Sequence, residues 1–341
     1  MPDNDRQMMR ESGRMTISDV AEALQISKTT VSRAISGKGR IGSETRERVL
    51  AYIDKHNYHP NPMAKGLAQL KTYNIAWVMP GDSGVTDLPF FQRCMLGIGE
   101  VAANYDYDIL LVMVYDRDMS QLRRIVQNHK VDGIVLGRTL VEDERVEFLK
   151  KADIPFVVIG SSPVPGVVQI DNDHVAACRE LTSILLMKGV HRPALIGGDD
   201  NHVVNRTRKK GFLEGLERNG IDPRESRVYM DCRERDDVGH AVEDCLRDGA
   251  DCIICMDDRI CSDVLEKLKG AQIRVPEQIR LASFYDSILL ENSAPAITAL
   301  RYDPRNLGMV AAKTLFRLIK GESVEEITYL SYEMALKEST Q

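Results

Sequence analysis

Ile17, Val20, Ala21 and Leu24 fall at i, i+3, i+4 and i+7, the spacing of one apolar helical face. Thr16 stands before them as a residue type that caps a first helical turn. A second stretch opens on Ser27 and closes on Gly37, which suit a helix start and a left-handed helix end respectively. Within it Val31, Ala34 and Ile35 make one narrow apolar stripe, while Thr29, Arg33 and Ser36 point to the opposite side. After Ser43 a third one-sided pattern follows, with Val49, Tyr52, Ile53 and His56. The spacing predicts three short helices around a small core, the first two joined through Gln25-Ile26-Ser27 in a helix-turn-helix. Gly is the commoner residue near such a turn, so Gln25 is a departure.

From Tyr73 onward the pattern changes to short apolar runs alternating with amphipathic segments. Runs at 75–78, 109–112, 133–136 and 156–159 read as buried parallel strands, with helices near 90–104, 120–128 and 142–151 between them. The alternation resumes with helices near 173–188, 207–219, 237–247 and 259–270 and strands at 194–197, 227–230 and 252–255. Such alternation predicts doubly wound α/β domains, two in succession, with a ligand cleft at the carboxyl ends of the strands.

Charge sharpens the picture. The 341-residue chain carries a net charge of −6, yet residues 16–72 sum to +4 and residues 73–341 to −10. A basic head on an acidic body fits phosphate attraction at one end of a soluble chain. The exposed side of the second helix holds hydroxyls and a guanidinium and no carboxylate, a set suited to phosphates and base edges.

Other chemistry is thin. The sequence contains no signal-peptide pattern and no long apolar run, so a cytoplasmic location without membrane contact is expected. Of the seven cysteines, Cys252 and Cys255 form a C-x-x-C, but inside an apolar strand and with no partner set for zinc. The adjacent pairs Asp199-Asp200, Asp236-Asp237 and Asp257-Asp258 point different ways and make poor acid–base dyads. No cofactor, metal site or catalytic residue is expected, and the chain is not read as an enzyme.

The motifs Thr16-Ile17-Ser18-Asp19-Val20-Ala21, Ser27-Lys28-Thr29-Thr30-Val31-Ser32-Arg33, Asn57-Tyr58-His59-Pro60-Asn61-Pro62 and Ala64-Lys65-Gly66-Leu67-Ala68 together resemble the LacI/GalR family of bacterial transcription regulators. The resemblance runs on to about residue 335. It implies a mobile arm over 1–15, a helix-turn-helix head over 16–59, a hinge helix over 60–72, and an effector-binding and dimerisation body of two periplasmic-binding-protein-like lobes over 73–341. It also implies a homodimer on a near-palindromic double-stranded operator, acting as a repressor. A small-molecule effector, expected to be a sugar or glycoside, would sit between the lobes.

Residue roles follow from the same resemblance. Lys28, Thr29 and Arg33 are expected at bases, with Ser32 and Thr30 at phosphates. Thr16, Ser27, Tyr58, Asn61, Ala64 and Ala68 complete the DNA-contacting set, and Leu67 matches a side chain that wedges between base pairs. In the cleft the expected residues are Asp82, Ser83, Phe91 as the stacking ring, Arg138, Asn205, Arg208, Asp257 and Tyr285. Gly160 and Tyr285 stand where the family commonly has carboxylates, which leaves the particular sugar open. A sugar-transport receptor and an α/β enzyme are the rival readings; the basic head speaks against the first and the absence of an assembled nucleophile, base or metal set against the second.

Overall fold

The computed structural model describes residues 15–37, 39–58, 71–81, 89–115 and 118–341. The arm expected over 1–15, apart from Met15, and the hinge helix expected over 60–72, apart from its last two residues, lie outside them. The chain divides into two units between Thr72 and Tyr73.

In the first unit α1 (Ile17–Ala23), α2 (Lys28–Ser36) and α3 (Ser43–Lys55) enclose Val20, Ala21, Val31, Ala34 and Val49. Thr16 and Asp19 cap α1 reciprocally, each side chain bonding the other's backbone N–H. Ser27 Oγ accepts from the Thr30 amide at 3.1 Å, and Gly37 ends α2 at φ 67°. The turn between α1 and α2 is closed by Gln25 at φ 50°. Ile26 N–H donates to Ala21 O and Gln25 N–H to Glu22 O, the paired bonds of a Schellman end, usually made with glycine. The same device ends α3, where Asn57 sits at φ 48° and Tyr58 N–H returns to Ile53 O at 2.9 Å.

The second unit contains two six-stranded sheets. The first lobe runs through β1 (Asn74–Pro80), α4 (Pro89–Ala103), β2 (Asp108–Val114), α5 (Ser120–Gln127), β3 (Gly133–Gly137), α6 (Glu144–Lys151), β4 (Phe156–Ile159) and β5 (Gln169–Asn172). The chain then enters the second lobe with α7 (His174–Met187), β6 (Pro193–Ile196), α8 (Val203–Arg218), β7 (Arg227–Tyr229) and α9 (Arg235–Arg247). That lobe continues with β8 (Cys252–Cys255), α10 (Asp258–Gly270), β9 (Arg280–Ser283), α11 (Ile288–Glu291) and β10 (Thr298–Arg301). It returns to the first lobe for α12 (Pro304–Ile319) and β11 (Ile327–Leu330), and crosses back for β12 (Glu333–Ala335).

The strand orders are β2-β1-β3-β4-β5-β11 and β7-β6-β8-β9-β10-β12, with every pairing parallel except β10 with β12. In each lobe the winding reverses beside the first strand, which opens a crevice at the carboxyl ends. The two lobes are therefore not simply successive. The chain passes between them three times, and Asn172 Nδ2 ties the first passage to the third by donating to Leu330 O and Ser331 O, both at 3.1 Å.

Apolar layers cover both faces of each sheet. Trp77, Phe91, Ile98 and Phe316 lie in one layer of the first lobe, and Leu122, Leu136 and Leu149 in the other. In the second lobe the C-x-x-C is split between layers, Cys255 packing with Val264 and Cys252 with Phe212. All seven cysteines are buried and free.

Glycine sets the closest approach of α4 and α12. A Cβ on Gly97 would meet Arg305 O at 2.0 Å, and one on Gly308 would meet Cys94 O at 2.1 Å. Because backbone cannot yield as a side chain does, Gly97→Ala and Gly308→Ala should each cost about 3 kcal/mol. Gly99→Ala in the same helix meets only Ile109 Cδ1 at 3.6 Å and should cost nothing or gain up to ~1 kcal/mol. Urea titration followed through Trp77, the sole tryptophan and fully buried, reads all three variants. Equal midpoints for Gly97→Ala and Gly99→Ala would contradict the tight crossing.

Candidate functional site

Two surfaces were expected to carry function, one in each unit. On the head, Lys28, Thr29, Ser32, Arg33 and Ser36 of α2 are exposed and Thr30 is half-buried. Gly39, at φ 92°, lies against the Arg33 stem, and a Cβ there would come within 3.3 Å of Arg33 Cδ. Ser27 and Thr30 are occupied locally, their hydroxyls 2.8 Å apart, and Thr16 is exposed with its hydroxyl bonded to Asp19. Tyr58 is the member of the expected DNA set that packs inward. It is only 6% exposed and packs in the head's core, because the left-handed Asn57 turns the chain inward. Asn61, Ala64, Leu67 and Ala68 lie outside the described residues.

In the second unit a cavity of about 540 Å³ opens between the lobes at the carboxyl ends of their strands. Phe90, Phe91, Arg138, Asn205, Arg208, Asp257 and Tyr285 all line it. Asp82 and Ser83 lie outside the described residues. Asn205 and Arg208 reach the cavity because α8 begins at Val203 rather than near 207, which brings both into its first two turns. The early start has a cause in the other lobe: Val203 N–H donates to Thr139 O at 3.2 Å, and Val141 N–H donates to Asn201 O at 3.0 Å. These bonds strap the cleft rim across the lobes.

Arg208 is 8% exposed and donates through Nη1 to Met256 O at 2.7 Å. Its guanidinium carbon lies 5.9 Å from the Tyr285 ring centroid. Asn205 Nδ2 donates to Asp199 O at 2.9 Å, and Asp257 Oδ1 accepts from Ile260 N–H at 2.8 Å to cap α10. Arg138 stands at φ 52° just past β3. The aromatic wall draws on both rings at the start of α4. Phe91 is 5% exposed and packs toward Trp77, whereas half-buried Phe90 faces Tyr285 across the lobes with centroids 6.0 Å apart. Tyr285 in turn stacks on Tyr302 at 6.1 Å. Ser283 Oγ donates to Tyr285 O at 2.7 Å and accepts from Tyr285 N–H, so the bend that presents this ring is pinned on both sides. Burial, and then the nearby Asp258, push the Tyr285 phenol well above its ordinary range.

Several lining residues escaped the sequence reading. Asp171, at the end of β5, accepts from Ser161 Oγ at 2.8 Å and lies 3.4 Å from His174 Nε2. His174 Nδ1 is 3.2 Å from the Tyr302 hydroxyl, so this chain of polar groups joins the first and second passages between the lobes. Ser161 bonds the carboxylate and not the imidazole, which is not the order of a nucleophile–base pair. Asp258, 1% exposed, holds a hydrogen bond from Ser287 Oγ. Burial, then the neighbouring Asp257, raise its carboxyl to about 6. The short polar strand of β5 has no alternating or apolar pattern, so nothing along the chain marks Asp171 and His174 as neighbours.

Comparison with known proteins bears on both surfaces. Residues 16–61 match the model for bacterial regulatory proteins of the lacI family, and residues 182–340 match the periplasmic binding protein-like domain. Catabolite control protein A of Staphylococcus aureus (strain Mu50 / ATCC 700699) is 27% identical over 320 residues, which cover 92% of this chain and 94% of that protein. The crystal structure of the lac repressor dimer bound to operator and the anti-inducer ONPF superposes with a TM-score of 0.81 at 22% identity, covering 96% of this chain and 99% of that one. A complex of the transcriptional regulator CelR with cellobiose gives 0.70 at 25% identity, covering 96% and 100%. Among the described residues no helix is long and apolar enough to cross a membrane. With a matching head, a matching body and relatives aligned over nearly the whole length, the chain joins a lacI-family regulatory domain to a periplasmic binding protein-like domain.

Proposed function

We propose that this chain is a sequence-specific transcriptional regulator, a repressor acting as a homodimer on a near-palindromic operator, whose DNA affinity responds to a sugar-like effector held between the lobes. The observation that carries the reading is the exposed, carboxylate-free face of α2 with Thr29, Arg33 and Ser36, joined in one chain to a two-lobed cleft. Operator and cellobiose complexes of the similar proteins support the same division of labour. In this scheme α2 enters the major groove, Arg33, with Thr29 and Lys28, reads base edges, and Ser32 positions the helix on phosphates. The effector contacts groups from both lobes, so its binding biases their separation, and through it the operator affinity, by typically 1–3 kcal/mol.

Asp258 belongs to the floor of that cleft, and its pH behaviour reports how dry the floor is. Because the folded carboxyl holds its proton more tightly than the unfolded one, the fold gains stability from it at about pH 4 and loses that gain as pH rises through about 6. Asp258→Asn keeps an acceptor for Ser287 and removes the charge. The variant should be roughly 3 kcal/mol more stable than the parent at pH 7.5 and only about 1 kcal/mol more stable at pH 4.5, by urea titration at both values. The same difference at both values would mean that the carboxyl titrates normally.

Gel-shift selection from a genomic fragment library tests the head directly. The full chain should enrich a near-palindromic site, and residues 73–341 alone should retard nothing. Arg33→Ala should lose about 10- to 100-fold in affinity for the selected site while salt-sensitive binding to random duplex persists. Retardation by residues 73–341, or an unchanged site preference in Arg33→Ala, would refute the assignment.

A further inference from the structure

All three crossings between the lobes lie at one edge of each sheet, at β5 and β11 in the first lobe and at β10 and β12 in the second. The strap lies elsewhere. It joins the loop after β3, two strands in from β5, to the loop after β6, three strands in from β10. At the usual strand spacing it stands roughly 10 to 14 Å from the crossings. Its two bonds, Val203 N–H to Thr139 O and Val141 N–H to Asn201 O, flank Leu140 and His202 as one rung of an antiparallel ladder. Covalent crossings hold the cleft along one side, and this rung holds it along another.

Each half of the rung is shaped by its own lobe. Leu140 N–H donates to Asp143 Oδ2 at 3.0 Å, and buried Arg145, paired with Asp143, donates through Nη2 to Arg138 O at 2.9 Å. These bonds fix the turn in which Arg138 stands at φ 52°. On the other rim Asp199 Oδ1 accepts from Asn201 N–H at 2.8 Å, and the Asp199 carbonyl accepts from His202 N–H at 3.2 Å. Parting the rims therefore breaks two hydrogen bonds and leaves both loops in shape to make them again.

We propose that this rung is a clasp with two states, made and broken, and that it decides whether the lobes turn about their crossings. At a radius of roughly 12 Å a turn of about 10° parts the rims by roughly 2 Å, which N–H···O bonds of 3.0 and 3.2 Å do not survive. A smaller turn strains both bonds and frees neither loop. The lobes stay together while the rung is made and swing once it breaks, which is the discrete, two-position behaviour that coupling between sites requires. The use of the clasp in signalling rests on the reading of this cleft as an effector site. Its existence does not, because the rung is main chain alone and is measured with neither ligand nor operator.

Val203→Pro tests it in the full chain. Val203 is the first residue of α8, where proline is favoured, and His202 before it is extended at φ −79° and ψ 123°, as a residue preceding proline must be. The substitution removes one N–H of the rung and leaves α8 its start. Val203→Ala trims the side chain and keeps the N–H. Hydrogen–deuterium exchange should find the Val141 amide protected in the parent and in Val203→Ala, and exchanging about 5-fold faster in Val203→Pro. Spin labels on Glu147→Cys of α6 and Lys210→Cys of α8, both exposed, report the separation of the lobes, with labelled chain diluted into excess unlabelled chain. The seven native thiols are buried and do not compete for the label. One narrow distance is expected in the parent, and a second, longer one in Val203→Pro. An unprotected Val141 amide in the parent, a Val203→Ala variant that opens as far as Val203→Pro, or an unchanged single distance in Val203→Pro would each overturn the clasp. Should Val203→Pro lose its fold by circular dichroism, the parent decides: protection of Val141 by more than about 100-fold supports the clasp, and exchange at the rate of exposed loop amides overturns it. Either result leaves the effector reading of the cleft, measured by ligand binding, to stand or fall separately.

Discussion

The constraint on which the body depends is the threefold passage of one chain between two parallel sheets. Each passage leaves a strand at its carboxyl end and enters the other lobe within a few residues, so the lobes share a narrow waist at Asn172, Arg301–Pro304 and Leu330–Tyr332. Parallel sheets already gather their functional loops at that same edge. The waist and the cleft are therefore built from neighbouring residues. Asn172 cross-links two passages, while Asp171, His174 and Tyr302 line or adjoin the cavity and bond across two of them. Groups that line the cavity are thus also groups that join the lobes.

The sequence revealed the local elements and hid the long-range bookkeeping. Periodicity alone located α2 with its cap and end, because each signal sits within eleven residues of the others. It located β1, β3, β4 and β8 equally well, since strands covered on both faces read as unbroken apolar runs. It could not show that α12 and β11 rejoin the first lobe, since an amphipathic helix and a short strand look the same whichever sheet they complete. Gln25 resisted for a different reason. Its left-handed turn costs about 1 kcal/mol or more for a side chain with a Cβ, and the two Schellman bonds and the inward packing of Ile26 offset it.

The candidate sites divide along the same line. Arg33 and Thr29 were legible because exposure on a short helix follows from its own stripe. Arg208 was legible through its motif, but its state was not. That it is buried, bonded to Met256 O and short of a partner depends on α8 beginning a turn early, and the N–H group at that start is satisfied by Thr139 of the other lobe. Tyr58 is the opposite case: a motif residue read as a contact also packs in the core, since Asn57 reverses the chain one position before it. Family motifs mark which positions matter, and only the packing says what each is occupied with.

The two lobes contribute unequal chemistry to the cleft, and that inequality bears on how binding becomes a signal. Arg208, Asn205, Asp257 and Tyr285 all belong to the second lobe. A ligand gripped by them alone would bind equally well whether the lobes were apart or together, and equal affinity for two states moves no equilibrium however tight the grip. The first lobe offers Phe90, Arg138 and the Thr139–Val141 strap, and the strap already bonds the opposite rim. On the proposed function, affinity would then reside mainly in the second lobe and the differential affinity that regulation requires in the first. On that reading, a substitution at Arg208 and one at Phe90 would act on different quantities: the first on how much ligand binds, the second on how much the bound ligand can say.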